Sequence, residues 1–116
     1  MQLFIQSDIS LESGNCFQTC LASLLGFETP EFVPNFWARE ETEEEIWEFI
    51  QIFCSRLKCK IYYTSRDIPK GWSIASGINR FGVFHSCLAF NGKVAHDPLP
   101  NGDGLQQIRG YYYLTS

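Results

Sequence analysis

One of the five cysteines in this 116-residue chain stands where a nucleophile is expected. Cys16 opens a stretch of helical spacing, directly behind the polar, Gly-bounded segment Ser7–Gly14, which reads as a loop. Unpaired amides in a first helical turn carry partial positive charge and favour thiolate over thiol. A thiolate so placed is the nucleophile of acyl-transfer chemistry. Cys20 falls one turn later on the apolar stripe. It and Cys54 and Cys59 read as small buried apolar residues.

A nucleophilic thiol needs a base and a group to orient that base. The chain has two histidines, His85 and His96, and Asp97 follows the second. Both lie in a hairpin pattern, Val83–Phe90 and Lys93–Asp97 around Asn91-Gly92. A two-residue turn there sets Ala89 opposite Val94 and His85 opposite Pro98. A three-residue loop sets Ala89 opposite Lys93, Leu88 opposite Val94 and His85 opposite Asp97. The second register is favoured because it gathers Phe84, Leu88 and Val94 on one apolar face. It also lets the Asp97 carboxylate hold the His85 tautomer, as a triad requires. Gln6, ten residues before Cys16, is a candidate to donate its side-chain amide to a developing oxyanion, together with the Cys16 backbone amide.

These residues need elements to hold them. Phe17, Cys20, Leu21, Leu24 and Leu25 mark a helix over Cys16–Leu25, with Asn15 as N-cap and Gly26 as stop. Gln2–Ile5 reads as a short extended segment. Pro30 and Pro34 break the next stretch, where Phe32, Val33, Phe36 and Trp37 are expected to cover the core. Thr42 and Glu45 form a capping-box pattern, followed by Ile46, Phe49, Ile50, Phe53 and Leu57 at helical spacing. The acidic run Glu40–Glu45 fits the positive end of that helix. The period then changes, predicting strands over Lys60–Thr64, Trp72–Ser76, the hairpin, and Tyr111–Leu114. N-terminal helices packed on a C-terminal antiparallel sheet is an α+β arrangement, expected to form one domain over residues 1–116.

Composition narrows the partners. Nine Lys plus Arg against thirteen Asp plus Glu gives a net charge of -4, which weighs against a general nucleic-acid binder. No apolar run is long enough to span a bilayer, and Met1–Ser10 lacks the layout of an export signal. An odd cysteine count in such a chain reads as free thiols in a reducing cytoplasm. No cofactor is implied. A metal site drawn from Cys16, Cys20, His85, Cys87 and His96 is disfavoured, because there is no Cys-x-x-Cys pair and Cys20 belongs to the apolar stripe.

The order Gln6, Gly14-Asn15-Cys16, His85 and Asp97-Pro98, with a helix behind the cysteine, resembles the layout of papain-like cysteine peptidases. Among these, the chain is similar to the small leader peptidases of bacteriocin exporters. Gly14-Asn15-Cys16-Phe17 through Ala22-Ser23-Leu24-Leu25, with His96-Asp97-Pro98, also resembles small uncharacterised bacteriophage proteins. The resemblance implies a papain-like fold with Cys16 as nucleophile, His85 as base, Asp97 as orienter and Gln6 as oxyanion donor. The chain departs from many such peptidases in the bulky Phe17 and in a longer Gln-to-Cys interval.

The expected activity is a thiol-dependent hydrolase or acyl-transferase acting on an amide, isopeptide or thioester of a peptide or small molecule. Asn15, Ser76, Asn79, Arg80 and His96 are the candidate substrate contacts. The alternative is a catalytically silent papain-like protein, phage-encoded and acting in the host cytoplasm. It would capture a small anionic signalling molecule through Arg80 or inhibit a host defence protein.

Overall fold

A computed structural model describes residues 1–7, 14–38, 40–100 and 102–116. Most of the predicted Ser7–Gly14 loop, and Asn101, lie outside the described residues. Among the described residues two α-helices, α1 (Cys16–Leu25) and α2 (Glu43–Arg56), precede five strands. These are β1 (Lys60–Thr64), β2 (Trp72–Ile78), β3 (Phe84–Phe90), β4 (Lys93–His96) and β5 (Gln107–Thr115). Every pairing is antiparallel, and the spatial order is β1-β5-β2-β3-β4. The fold is therefore α+β, as the pattern of the sequence predicts.

α1 is buried almost all round, since Phe17, Thr19, Cys20, Leu21, Ala22 and Ser23 are all out of solvent. Its polar members survive there by bonding back along the helix. Thr19 Oγ1 donates to the Asn15 carbonyl at 2.8 Å and Ser23 Oγ to the Thr19 carbonyl at 3.4 Å. Gly26 ends the helix in the left-handed conformation, φ 77°, with its N–H on the last turn. Asn15 stands at the N-cap position, but its side chain does not cap the helix. It donates instead to Ser7 Oγ at 3.1 Å.

Thr42 caps α2 as predicted. Its hydroxyl accepts from the Glu45 amide at 3.2 Å and donates to the Glu45 carboxylate at 3.0 Å. Ile46, Ile50 and Cys54 form the buried face of α2, with Phe49 and Phe53 half-buried beside them. Leu57 closes the helix as its C-cap and is exposed. Two short 3-10 turns between the helices turn Val33 and Phe36 inward. Phe32 does not join the core: it is 61% exposed and packs edge-on against Phe27. Gln18 ties this segment to α1 by donating to the Pro30 and Val33 carbonyls.

One core forms between the helices and one sheet face, through Leu21, Val33, Ile50, Ile61, Ile74 and Leu88. Each such side chain contributes about 1.5–3 kcal/mol of burial. On the other face Ala75, Ala89 and Tyr111 pack with Leu105. β2 runs two residues beyond its predicted end because Gly77 permits a bulge there. A Cβ at Gly77 would collide with the Gln107 backbone, and the β2–β5 register shifts at that point. β5 starts four residues earlier than predicted, since Gln107, Ile108 and Gly110 pair with β2, with Arg109 the extra residue at the bulge, and the segment lacks an alternating apolar signature. Gln2–Ile5 is not a strand. The segment is held by the Gln6 amide on the Pro98 carbonyl at 2.8 Å and by His96 Nε2 on the Phe4 carbonyl at 2.7 Å.

Candidate active site

The sheet leaves a gap that α1 fills. β4 pairs with β3 only from Leu88 to Phe90, so the Phe84–Cys87 half of β3 has no strand beyond it among the described residues. α1 packs there, and Cys20 Sγ donates to the Ser86 carbonyl at 3.7 Å. This lays the first helical turn, with the partly exposed Cys16, beside His85 and Ser86.

The hairpin register differs from the favoured prediction. Asn91 and Gly92 both have positive φ (51° and 84°), making a two-residue turn, and Ala89 faces Val94. That register alone would put Asp97 on the face opposite His85. However, Leu88 pairs with His96, so Ala95 is an extra residue, and the alternation on β4 flips at that point. Asp97 then comes to the same side as His85 and Cys87. His85 Nε2 and Asp97 Oδ1 lie 2.6 Å apart, both residues nearly buried. The predicted contact forms by a route other than the predicted register.

Asp97 is itself fixed. Oδ1 also accepts from the Leu99 amide and Oδ2 from the Gly104 amide, each at 2.9 Å. Gly102 lies so close that a Cβ there would collide with the carboxylate. The segment after Asp97, which by composition looks like a flexible turn, is thus a backbone cradle for the carboxylate.

The electrostatics follow from this packing. Burial alone would push the Cys16 thiol up. The hydrogen bond and charge of His85, with the amide and hydroxyl of Ser86, outweigh burial and hold it below its ordinary value. Burial likewise opposes charge on His85, but the bonds from Asp97, Cys16 and Cys87 and the Cys16 charge push it up to about 12. Asp97 is lowered: burial raises it, and His85, Leu99 and Gly104 more than reverse this. Burial pushes Cys20 and Cys87 up, so they stay thiols. The arrangement favours a Cys16 thiolate beside a His85 imidazolium. With Nε2 on Asp97, Nδ1 is the ring nitrogen left for the thiol.

Cys16 and His85 open into a cavity of about 990 Å³. Of the predicted site residues, Gln6, Ser76 and Asn79 also line it. Ser76 Oγ lies 3.1 Å from Ser86 Oγ, and Asn79 Oδ1 holds the β2–β3 turn by accepting from Phe81 and Val83 amides. Asp97 and the remaining three lie outside the lining. Asn15 is buried behind the helix start, His96 anchors Phe4, and Arg80 sits 3.4 Å from Asp103 and over the Phe81 ring. Sequence reasoning missed most of the wall: Phe17, Trp37, Tyr63 and Tyr112, with Glu43. These come from five separate elements, and an aromatic side chain carries the same signal in a core as in a cavity wall.

His85, Cys87 and Asp97 offer metal-ligating atoms within 4.8 Å of one another. Their donor atoms are already engaged, since both Asp97 oxygens accept backbone amides and one also meets His85 Nε2. Binding a metal there would break the His85–Asp97 bond, so the residues fit a hydrogen-bonded relay better than a ligand set. In comparisons with known proteins, no family model, curated protein or solved structure matches the chain.

Proposed function

We propose that the protein is a thiol-dependent hydrolase or acyl-transferase with a papain-like arrangement, acting on an amide, isopeptide or thioester of a peptide or small molecule. The observation that carries this reading is the continuous chain of contacts from Cys16 to His85 to Asp97, with Cys16 and His85 lining an open cavity. A structural cysteine at a helix start needs none of these partners.

The Cys16 thiolate attacks the substrate carbonyl carbon, forming an S–C bond as the C=O π pair moves to oxygen. In this reading the Cys16 backbone N–H at the start of α1 and the Gln6 side chain, which lines the cavity, donate to that oxyanion. On collapse the C–N or C–S bond breaks, and His85 gives its Nδ1 proton to the leaving group. Water or an acceptor amine then attacks the acyl-enzyme, returns a proton to His85, and releases the Cys16 thiolate. Asp97 keeps the ring oriented and stabilises its charged form throughout.

Capture of an anion through Arg80 has less support. Arg80 already faces Asp103, and Glu43, the acidic member of the cavity wall, would oppose an anion. The test is acylation by an activated thioester, followed by intact-protein and peptide mass spectrometry. The acyl group is expected on Cys16, decaying with time, and absent in His85→Ala. Equal labelling of Cys16 and the half-buried Cys59 would contradict the reading.

A further inference from the structure

The cavity wall next to Cys16 has a composition unlike a general peptide groove. Phe17, Trp37, Tyr63 and Tyr112 line it, and Glu43 is the carboxylate at its edge. Among the described residues, no lysine or arginine belongs to the lining. The rings are held in place by one another. Phe17 meets Tyr112 at 5.0 Å and Trp37 at 6.1 Å, both edge-on, while Tyr63 lies 4.7 Å from Tyr112. Trp47 packs on Tyr112 at 5.6 Å from outside the lining. Such a wall is set before any ligand arrives, so little side-chain freedom is lost on binding.

Glu43 serves as a first-turn residue of α2, where a carboxylate suits the helix dipole. It has no cationic partner among the described residues, and Thr42 with Glu45 already caps the helix. Its charge is felt inside the cavity. The Tyr112 hydroxyl is pushed up to about 12, by burial first and then by Tyr63 and Glu43. Electron-rich ring faces with one unpaired carboxylate attract a cation carried on an apolar stem, through cation–π attraction and direct charge.

We propose that this end of the cavity is a subsite for an alkylammonium group, so that the substrate presented to Cys16 carries a lysine-like amine. The inference rests on the thiol-hydrolase reading for the word substrate, while the subsite itself is a matter of binding. A neutral apolar chain fills the same wall but leaves Glu43 without a partner, and an anionic chain meets it with repulsion.

The experiment is calorimetric titration of the Cys16→Ala protein, which has no nucleophile, with three probes. These are Nα-acetyl-lysine amide, Nα-acetyl-norleucine amide, which has the same chain without its amine, and Nα-acetyl-glutamate amide. The lysine probe is expected to bind at least about tenfold tighter than either other probe. Glu43→Gln, made in the same background, is expected to erase most of that preference while norleucine binding stays unchanged, which certifies an intact cavity. Equal or tighter binding of norleucine or glutamate overturns the subsite, as does a lysine preference that survives Glu43→Gln. A lysine preference in a protein whose Cys16 never acylates would sink the hydrolase reading and leave the subsite standing. Acylation at Cys16 without the preference would do the reverse.

Discussion

Asp97 meets His85 at 2.6 Å because Ala95 stands outside the β3–β4 ladder. A residue inserted into one strand reverses which face every later side chain takes. Deleting Ala95 should therefore leave a regular ladder, with Leu88 still on His96 and Asp97 still on the His85 face. Cys16 acylation is expected to stay within several-fold of wild type in that variant. In Asp97→Asn, which keeps the shape and removes the charge, it is expected to fall at least about 10²-fold, in line with loss of a triad orienter. A deletion variant as slow as Asp97→Asn would contradict this register.

The lowered Asp97 pKa has a consequence for stability against pH. A carboxyl whose folded pKa lies below its unfolded value stabilises the fold above about pH 3.9. That contribution is lost as pH falls through the folded value. The His85 pKa, pushed up to about 12 against burial and chiefly by Asp97, adds stability that is complete only below about pH 6.5, so the Asp97 effect is read below that point. The melting-temperature gap between wild type and Asp97→Asn should be near-constant between about pH 6 and pH 5 and close progressively below about pH 4. Thermal melts of both proteins from about pH 6 downwards check this; a gap that widens below about pH 5 has the wrong sign.

His96 acts at one remove from the chemistry. Its Nε2 donates to the Phe4 carbonyl, and the Gln6 amide two residues on meets Pro98. His96→Ala should loosen residues 4–6 and so misplace the Gln6 side chain. The turnover number is expected to fall several-fold, with about one hydrogen bond of stability lost, roughly 1 kcal/mol. The apparent pKa of Cys16 should not move, because the His96 ring bonds to the Phe4 carbonyl and takes no part in the His85–Asp97 hydrogen bond. A changed Cys16 titration would instead place His96 within the charge relay.

Gly77 tests the sheet beneath the site. It pairs with His85 across β2–β3, and its Cβ-free face accommodates the Gln107 backbone at the bulge. Gly77→Ala forces backbone apart, and the cost is expected to reach about 2 kcal/mol or more. Denaturant unfolding would measure it. A change below about 0.5 kcal/mol would mean the bulge relaxes freely.

The parts of this account that were legible in the sequence share a cause. Cys16 and the α2 cap announce themselves by residue type at fixed offsets: a thiol after a polar loop, and a threonine three before a glutamate. Side-chain parity makes His85 and Asp97 readable as a pair, although the three-residue loop it suggests is not the turn that forms. The bulge at Ala95 left no mark, because an alanine among β residues looks like any paired position. The Leu99 and Gly104 amides that hold Asp97 are backbone donors, which every non-proline residue has. Arg80 looked like an anion receptor by type alone. Its pairing with Asp103 depends on a loop approaching the β2–β3 turn from far along the chain, a contact no local pattern encodes.

The most direct test of the central claim is the alkylation rate of each cysteine against pH, read by mass spectrometry on native protein. The account predicts that Cys16 alone reacts fast, with an apparent pKa well below about 8.5, and that His85→Ala moves this pKa upward. A Cys16 that titrates at or above about 8.5 and ignores the His85 substitution would contradict the thiolate–imidazolium pair on which the proposed function stands.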